Sequence, residues 1–425
     1  MYKEVKKCRI CSNPDLIPLL DLGEQCLTGV FPKKKNEKIS SGPIQMVKCN
    51  SSGKIDFCGL VQLKHSFDQN EMYGDNYGYR SGLNHTMVEH LRRKVKKILS
   101  MIKLKRGDII IDIGSNDCTL LNEYPLNRYQ LIGIDPAGDK FKKYYPPNIK
   151  LISDFFSEKI IKDNFGNNKP KIITSIAMFY DLESPIQFMD QIYKILHDDG
   201  VWITEQSYLP NMIENKSYDN ICHEHLEYYC LKQIKWMADQ SRLKIIDVEF
   251  NNVNGGSISL ILCKSKSSFS EATSLVQRIL NDEKKRGMET QTLYKKFKEN
   301  IIKHRESLQV FLESIKLKDK LILGFGASTK GNVILQYCDL SPEYIPYIAE
   351  INEDKFGCFT PGTNIPIISE EDAKGMNPDY LMVFPWHYKN YFVEREKSFL
   401  SKGGALVIPL PELDIIKFSS SDKII

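Results

Sequence analysis

The sequence predicts an α/β protein with two parallel-sheet domains, a helical segment between them and a small cysteine-rich module in front. Three observations lead there. Apolar strand patterns alternate with amphipathic helix patterns from residue 107 to about 265, and the alternation restarts at Lys320. Such alternation implies a parallel sheet with helices on both faces. Five of the eleven cysteines fall in the first 65 residues, a stretch too short to bury an adequate core unaided. The whole chain, at 425 residues, exceeds what one hydrophobic core holds, so two or three domains are expected.

The bulk composition narrows the function classes. With 42% hydrophobic and 26% charged residues the chain reads as an ordinary globular protein. A net charge of +4 offers no concentrated basic face, so neither a nucleic-acid nor a membrane partner is expected. No segment reaches the length needed to cross a bilayer, and "MYKEVKKCRICS" lacks the apolar stretch of a signal peptide. A cytoplasmic protein is expected, with its cysteines reduced and close pairs serving as metal ligands rather than disulfides. Nothing in the sequence separates a monomer from a small homo-oligomer.

Four blocks follow in order. Residues 1–65 hold Cys8-Arg-Ile-Cys11, a turn-sized C-x2-C pair. Cys49 and Cys58 form the best second pair, although eight residues separate them; Cys26 and His65 are the substitutes. Four thiolates suit a structural tetrahedral Zn2+ site, and small buried hydrophobes are the other reading. Residues 66–265 open with the aromatic loop "MYGDNYGYRSGLN" and the helical pattern "HTMVEHLRRKVKKILSMI". The strands "DIIIDIG", "YQLIGIDP", "KIITSIAMFYD" and "GVWITEQS" come next. Residues 266–320 read as a charged helical linker. Residues 321–425 supply "KLILGFGAS", "YIPYIAEI", "YLMVFPW" and "GALVIPL", a second and smaller α/β domain.

The cofactor is legible at the ends of the first strands. Asp112 and Gly114 end a buried strand in a glycine turn that continues through Asn116. Asp135-Pro136 ends the next strand, and Asp154-Phe155 falls where a third would end. Ligands of doubly wound sheets sit at the carboxyl ends of strands, where an acidic residue binds a ribose diol. The second and third glycines of G-x-G-x-x-G are missing, so a pyrophosphate cannot approach the backbone closely. S-adenosylmethionine (SAM) has no phosphate; it needs one tight turn, carboxylates for the ribose and an aromatic edge for adenine. The expected fold class is therefore α/β, with a class I SAM methyltransferase (Rossmann-like) core, a small N-terminal zinc-binding module and a C-terminal Rossmann-like α/β domain.

Catalytic candidates lie in "DNICHEHLEYY", a long loop after "GVWITEQS" and on the same sheet edge. It carries His223, Glu224 and His225, then Glu227, Tyr228 and Tyr229. Methyl transfer to carbon needs a base beside a carbonyl, and histidine titrates in the right range. A neighbouring carboxylate can fix its tautomer, and tyrosine hydroxyls can stabilise an enolate oxygen. A metal cluster and two structural histidines are the other readings. In "GFGASTKGN" the glycines and Lys330 suggest a phosphate-cradling turn, although the P-loop spacing is absent. Asn332, Glu350 and His387 are further substrate candidates, with structural roles as the alternative.

Taken together, these motifs resemble the three-domain C-methyltransferases of deoxysugar biosynthesis. The similarity runs through "CGLVQL" at 58–63, "YGYRSGLN" at 77–84, "DIGSNDCTLL" at 112–121 and "GIDP" at 133–136. It continues in "MFYDLESP" at 178–185, "ICHEHLEYY" at 221–229, "NGGSI" at 254–258 and "GFGASTKGN" at 324–332. The resemblance implies a nucleotide-linked 4-keto sugar as substrate, carried by dTDP, GDP or CDP. It implies that His225 removes the C3 proton and that the enolate takes the SAM methyl. Glu224 and a tyrosine of the Tyr77/Tyr79 loop would position base and sugar. Two departures stand out: Cys118 replaces the glycine that usually ends the turn, and the second cysteine pair is stretched. O-methylation of a nucleotide sugar on the same scaffold is the alternative activity, and a non-catalytic or NAD-dependent protein is the alternative class.

Overall fold

A computed structural model describes residues 2–50, 57–73 and 79–418. Its central sheet has seven strands in the order Leu243–Asn251, Ser257–Lys264, Val201–Ser207, Ile172–Ile176, Ile109–Ile113, Gln130–Ile134, Ile149–Ile152. The last five run parallel, and Ser257–Lys264 is antiparallel to both of its neighbours. Ile109–Ile113 is buried along its whole length, as expected of a strand covered on both faces. The chain steps outward from this strand to one edge, then returns to lay Ile172–Ile176 on its other side. That reversal opens a crevice at the carboxyl ends of the two strands. His85–Met101 closes one face: Asn84 caps it by accepting from the amides of Thr86 and Met87, and Met87, Leu91, Val95 and Ile98 point inward.

The C-terminal domain is a six-stranded sheet ordered Ile367–Ser369, Ile348–Glu350, Ile322–Phe325, Tyr380–Val383, Ala405–Ile408, Asp414–Ile416, parallel except for the last strand. A side chain at Gly324 would put its Cβ 2.2 Å from the Cδ1 of Ile348, so this strand needs a glycine for close packing.

The N-terminal module is less self-contained than its sequence suggests. Its sheet orders Leu16–Cys26, Ser41–Cys49 and Val61–Leu63, and the fourth strand is Glu227–Tyr228 from the middle domain. Glu227 pairs with Gln62 and Tyr228 with Val61, and the Leu63 amide donates to the Leu226 carbonyl at 2.8 Å.

The helical segment is likewise shared out. Thr273–Lys285 sends Val276 and Ile279 into the core of the middle domain. Gln291–Leu317 sends Phe297, Ile301, Leu308 and Leu312 into the core that joins the C-terminal sheet to the N-terminal strands. No helix among the described residues is long and apolar enough to cross a membrane.

Glu283 ties the first of these helices down. One carboxylate oxygen accepts from the Tyr208 hydroxyl at 2.7 Å and from the Leu231 amide at 2.5 Å, and the other accepts from the Lys232 amide at 3.2 Å. The carboxylate thus caps the helix Leu231–Gln240 from outside, where its charge meets the positive helix end. Glu283→Ala leaves these donors buried and unpaired, and should cost roughly 2–4 kcal/mol; urea unfolding of the variant against the parent measures it.

Candidate active site and metal centre

The turn after Ile109–Ile113 is built for close approach. Gly114 has φ +72°, and a Cβ there would lie 3.1 Å from Met178 Cγ. Cys118 is also left-handed, at φ +69°, a conformation that favours glycine. A glycine in related turns has the same geometric reason, and here the thiol side chain is simply buried. Asp135 pins the turn to the second strand: its oxygens accept from the Asn116 amide at 2.7 Å and the Ala137 amide at 2.8 Å. Asp112 accepts from the Thr174 hydroxyl, and burial beside Asp135 pushes its carboxyl up to about 7. Pro136, Asp154 and Phe155 are exposed at the ends of the next strands, Phe155 by 40%. The seven residues thus follow one sheet edge. A tight turn without a side chain, carboxylates on neighbouring strand ends and an exposed aromatic fit SAM.

Tyr77 lies outside the described residues. Tyr79 is 44% exposed, and its carbonyl accepts from the Asn116 side chain at 3.3 Å. The same side chain accepts from the Ser81 amide at 3.0 Å. Asp117 holds the next residues, through the Gly82 amide at 2.9 Å and Arg80 Nε at 3.1 Å. The aromatic loop is therefore stitched onto the cofactor turn by Asn116 and Asp117, the second of which carried no signal of its own in the sequence.

His225 lines a small cavity. Its Nδ1 sits 2.7 Å from the Asn220 carbonyl. A carbonyl only accepts, so Nδ1 carries the proton and Nε2 keeps its lone pair. The ring meets Tyr180 edge-on at 4.3 Å. Tyr180 follows two residues after Met178, the side chain that covers Gly114. Burial, aided by the Lys330 charge, pushes His225 down to about 3, so the imidazole is neutral at pH 7. The cavity is lined by Tyr180, Ser207, Leu209, Met212, Asn220, His225, Glu227 and Tyr228.

The loop's other candidates, Glu224, His223 and Tyr229, are arranged around that cavity rather than in its lining. Glu224 is buried and accepts from the Thr28 hydroxyl at 3.3 Å, and a Cβ on Gly29 would come within 2.5 Å of it. It therefore faces the cysteine module. His223 is fully buried, with its ring edge-on to Phe67 at 4.4 Å. Tyr229 stacks on Phe179 at 5.5 Å, while its neighbour Tyr228 lines the cavity. Glu227 and Tyr228 stand in the loop singled out from the sequence, whereas Ser207 and Asn220 were not singled out, because only the tertiary fold brings them to His225.

The C-terminal candidates mostly join domains. Lys330 donates to the Asn254 carbonyl at 2.9 Å, and Asn332 to the Thr28 carbonyl at 2.7 Å. Glu350 accepts from the amides of Ala327, Ile351 and Asn352 at 2.7–2.9 Å, the same latch that Asp135 makes in the middle domain. Trp386 donates to Asp219 at 2.7 Å and packs over Gly255, where a Cβ would lie 3.2 Å from the indole. His387 lies between Trp386 and Tyr388, and burial near Lys330 holds it well below the usual histidine range.

Cys8, Cys11, Cys49 and Cys58 converge, with all four sulfurs within 4.8 Å of one another and closest pairs at 3.4–3.5 Å. Tetrahedral zinc with Zn–S near 2.3 Å sets its sulfurs about 3.8 Å apart, so the cluster fits with a small expansion. Cys26 and His65 stand outside it. The long 49–58 spacing is accommodated because Ser41–Cys49 and Val61–Leu63 pair as neighbours and return the two cysteines to one place.

Fold and site together define a SAM-dependent methyltransferase with a zinc-binding module. Three family models match in tandem: a zinc binding domain at residues 8–73, a methyltransferase domain at 83–248 and a C-methyltransferase C-terminal domain at 252–411. The C-methyltransferase NovU of Streptomyces niveus is 24% identical over 424 residues, 99% of each chain. Among solved structures, a SAM-dependent methyltransferase of Clostridium acetobutylicum aligns at TM-score 0.32 and 12% identity, over 42% of this chain and 92% of its own. The CurJ carbon methyltransferase aligns at TM-score 0.33 and 11% identity, over 47% of this chain and 59% of its own. The chain belongs to the three-domain C-methyltransferases.

Two outcomes follow from this geometry. Cys11→Ser removes one of four thiolates; bound zinc measured by atomic absorption should fall from one per chain, and the melting temperature should drop. His223 is pushed down to about 4 by burial, against about 6.5 when unfolded. Between those values only the unfolded chain takes up this proton, so stability is full above pH 6.5 and falls as pH drops toward 4. The slope from this group is roughly 1 kcal/mol per pH unit. Unfolding midpoints at pH 7 and 5 should therefore converge in His223→Gln relative to the parent; equal slopes would refute the assignment.

Proposed function

We propose that the chain methylates C3 of a nucleotide-linked 4-keto deoxysugar, with His225 as the general base, in the making of a bacterial surface polysaccharide or natural-product sugar. The observation that carries this reading is the imidazole itself: neutral, locked in the tautomer that leaves Nε2 free, and lining a small cavity.

Bound at Asp112, Gly114, Asn116, Asp135, Asp154 and Phe155, SAM supplies an electrophilic methyl group. The chain's own residues do the rest. Nε2 of His225 takes the proton from the carbon beside the ketone, and the Asn220 carbonyl keeps the ring from turning. The imidazolium so formed is unfavourable in a buried site, but the enolate beside it is the opposite charge it needs. Lys330, close enough to depress His225, offsets the negative charge on the enolate oxygen. Tyr180 walls one side of the ring, and Leu209 and Met212 keep water away. Glu224 braces the loop against the cysteine module, and Asn116 ties the Tyr79 backbone to the cofactor turn. This reading assigns Lys330 and His387 to the diphosphate of a nucleotide-linked sugar. The absence of a long apolar helix among the described residues is compatible with a cytoplasmic enzyme.

His225→Ala should lower kcat by roughly a hundredfold to ten-thousandfold while the SAM dissociation constant stays within about twofold. Solvent exchange separates carbon from oxygen methylation. In D2O the parent enzyme should place deuterium on the carbon next to the ketone, and His225→Ala should not. Methyl transfer without any exchange-competent carbon, or near-normal turnover in the variant, would end this reading.

A further inference from the structure

The wall of the His225 cavity opposite its apolar side carries polar atoms with no hydrogen-bond partner among the described residues. They are both carboxylate oxygens of Glu227, the Asn220 side-chain oxygen, the Ser207 hydroxyl and the Tyr228 hydroxyl. Glu227, Asn220 and Tyr228 are 2%, 2% and 4% exposed. A buried polar atom left without a partner costs about 1–3 kcal/mol, so a cluster of them in one cavity wall marks a place where a ligand completes the bonding. Burial drives the Glu227 carboxyl well above the ordinary carboxylate range, with the Arg9 charge pulling the other way, so the wall combines acceptors and donors, and the complementary ligand presents hydroxyl groups, which do both.

Arg9 is the charged group set against Glu227 in that wall. It lies between Cys8 and Cys11, and its guanidinium is fixed by the Leu63 carbonyl at 2.6 Å, the Ser66 hydroxyl at 2.9 Å and the His65 carbonyl at 3.2 Å. This leaves Nε facing Glu227 at 3.6 Å, an ion pair too long to be a hydrogen bond, with both side chains almost wholly buried. The carboxyl group therefore has a charge beside it yet keeps its oxygens open. Strand pairing of Glu227 with Gln62, whose own side-chain oxygen accepts from the Arg9 amide at 2.9 Å, holds the two together.

We propose that Glu227 binds a ring hydroxyl of the sugar, that Arg9 positions it from the cysteine module, and that this module thereby takes part in substrate choice. The inference rests on the 4-keto sugar reading above. A hydroxyl bound by a buried polar group is worth a tenfold to hundredfold preference over the analogue that lacks it.

The test compares kcat/KM for a 4-keto-6-deoxyhexose with counterparts lacking the hydroxyl at carbon 2 or at carbon 3, each as dTDP, GDP and CDP forms. The parent enzyme should prefer the hydroxylated sugar over at least one counterpart by tenfold or more, a measurement that needs no variant. Glu227→Gln should shrink that preference about tenfold through KM, with SAM affinity and zinc content unchanged. Arg9→Ala should raise the sugar KM likewise, Arg9→Lys should restore part of it, and adding Arg9→Ala to Glu227→Gln should change little more. Equal kcat/KM for all three sugars in the parent, or a preference untouched in Glu227→Gln, overturns the assignment while leaving the methyltransferase reading intact. No turnover of any nucleotide sugar by the parent overturns both.

Discussion

The architecture depends on one short strand pairing. Glu227–Tyr228 adds itself to the edge of the cysteine module's sheet, against Val61–Leu63. Its hydrogen bonds fix the end of the loop that carries His225, and the imidazole hydrogen bond to Asn220 fixes the loop's middle. The cysteine cluster, the module and the His225 loop are therefore mechanically continuous. Four thiolates gather the strands, the strands accept the loop as a new edge, and the loop carries the imidazole. A module too small to fold by hydrophobic burial is stabilised by metal ligation, and that rigidity passes to the active site.

Buried carboxylates recur as internal latches elsewhere. Asp135 and Glu350 each reach across a strand end to hold the amide of the preceding glycine-containing turn. In both sheets a crossover turn would otherwise leave amides exposed in the crevice, and an acidic side chain on the neighbouring strand is the nearest acceptor. Glu283 does the same for a helix N-terminus. These groups are costly to bury, and each is offset by two or more backbone donors. The same residue types in the same strand-end positions are also the ones expected to meet a ribose. In the middle domain Asp135 has lone pairs left for that purpose; in the C-terminal domain Glu350 serves three amides.

Much of the fold was legible because its signals are local. Strand and helix periodicities, the breakers after each strand and the isolated C-x2-C pair lie within short windows of sequence. The cofactor edge was legible too, since successive strand ends of a parallel sheet fall on one side by topology alone. The cavity was not. Ser207, Asn220 and the pair Glu227-Tyr228 belong to three separate elements, and nothing in their own segments shows that they meet. Within "HEHLEYY", sequence could not tell Tyr228 from Tyr229, because which of two adjacent side chains faces a cavity depends on the register of a strand contributed to another domain. The helical segment was legible as a charged helix pair, but not that one apolar stripe of each helix enters a different core.

The sequence by itself therefore determined the alternating α/β order, the glycine turn with its acidic strand ends and the chemistry available to a His-Glu-His loop, all properties of neighbouring residues. Tertiary structure decided which imidazole nitrogen is free, which side chains wall the cavity and how Cys58 rejoins Cys8. Those depend on contacts between segments far apart in the chain, where strand register and burial, not residue type, choose the partners.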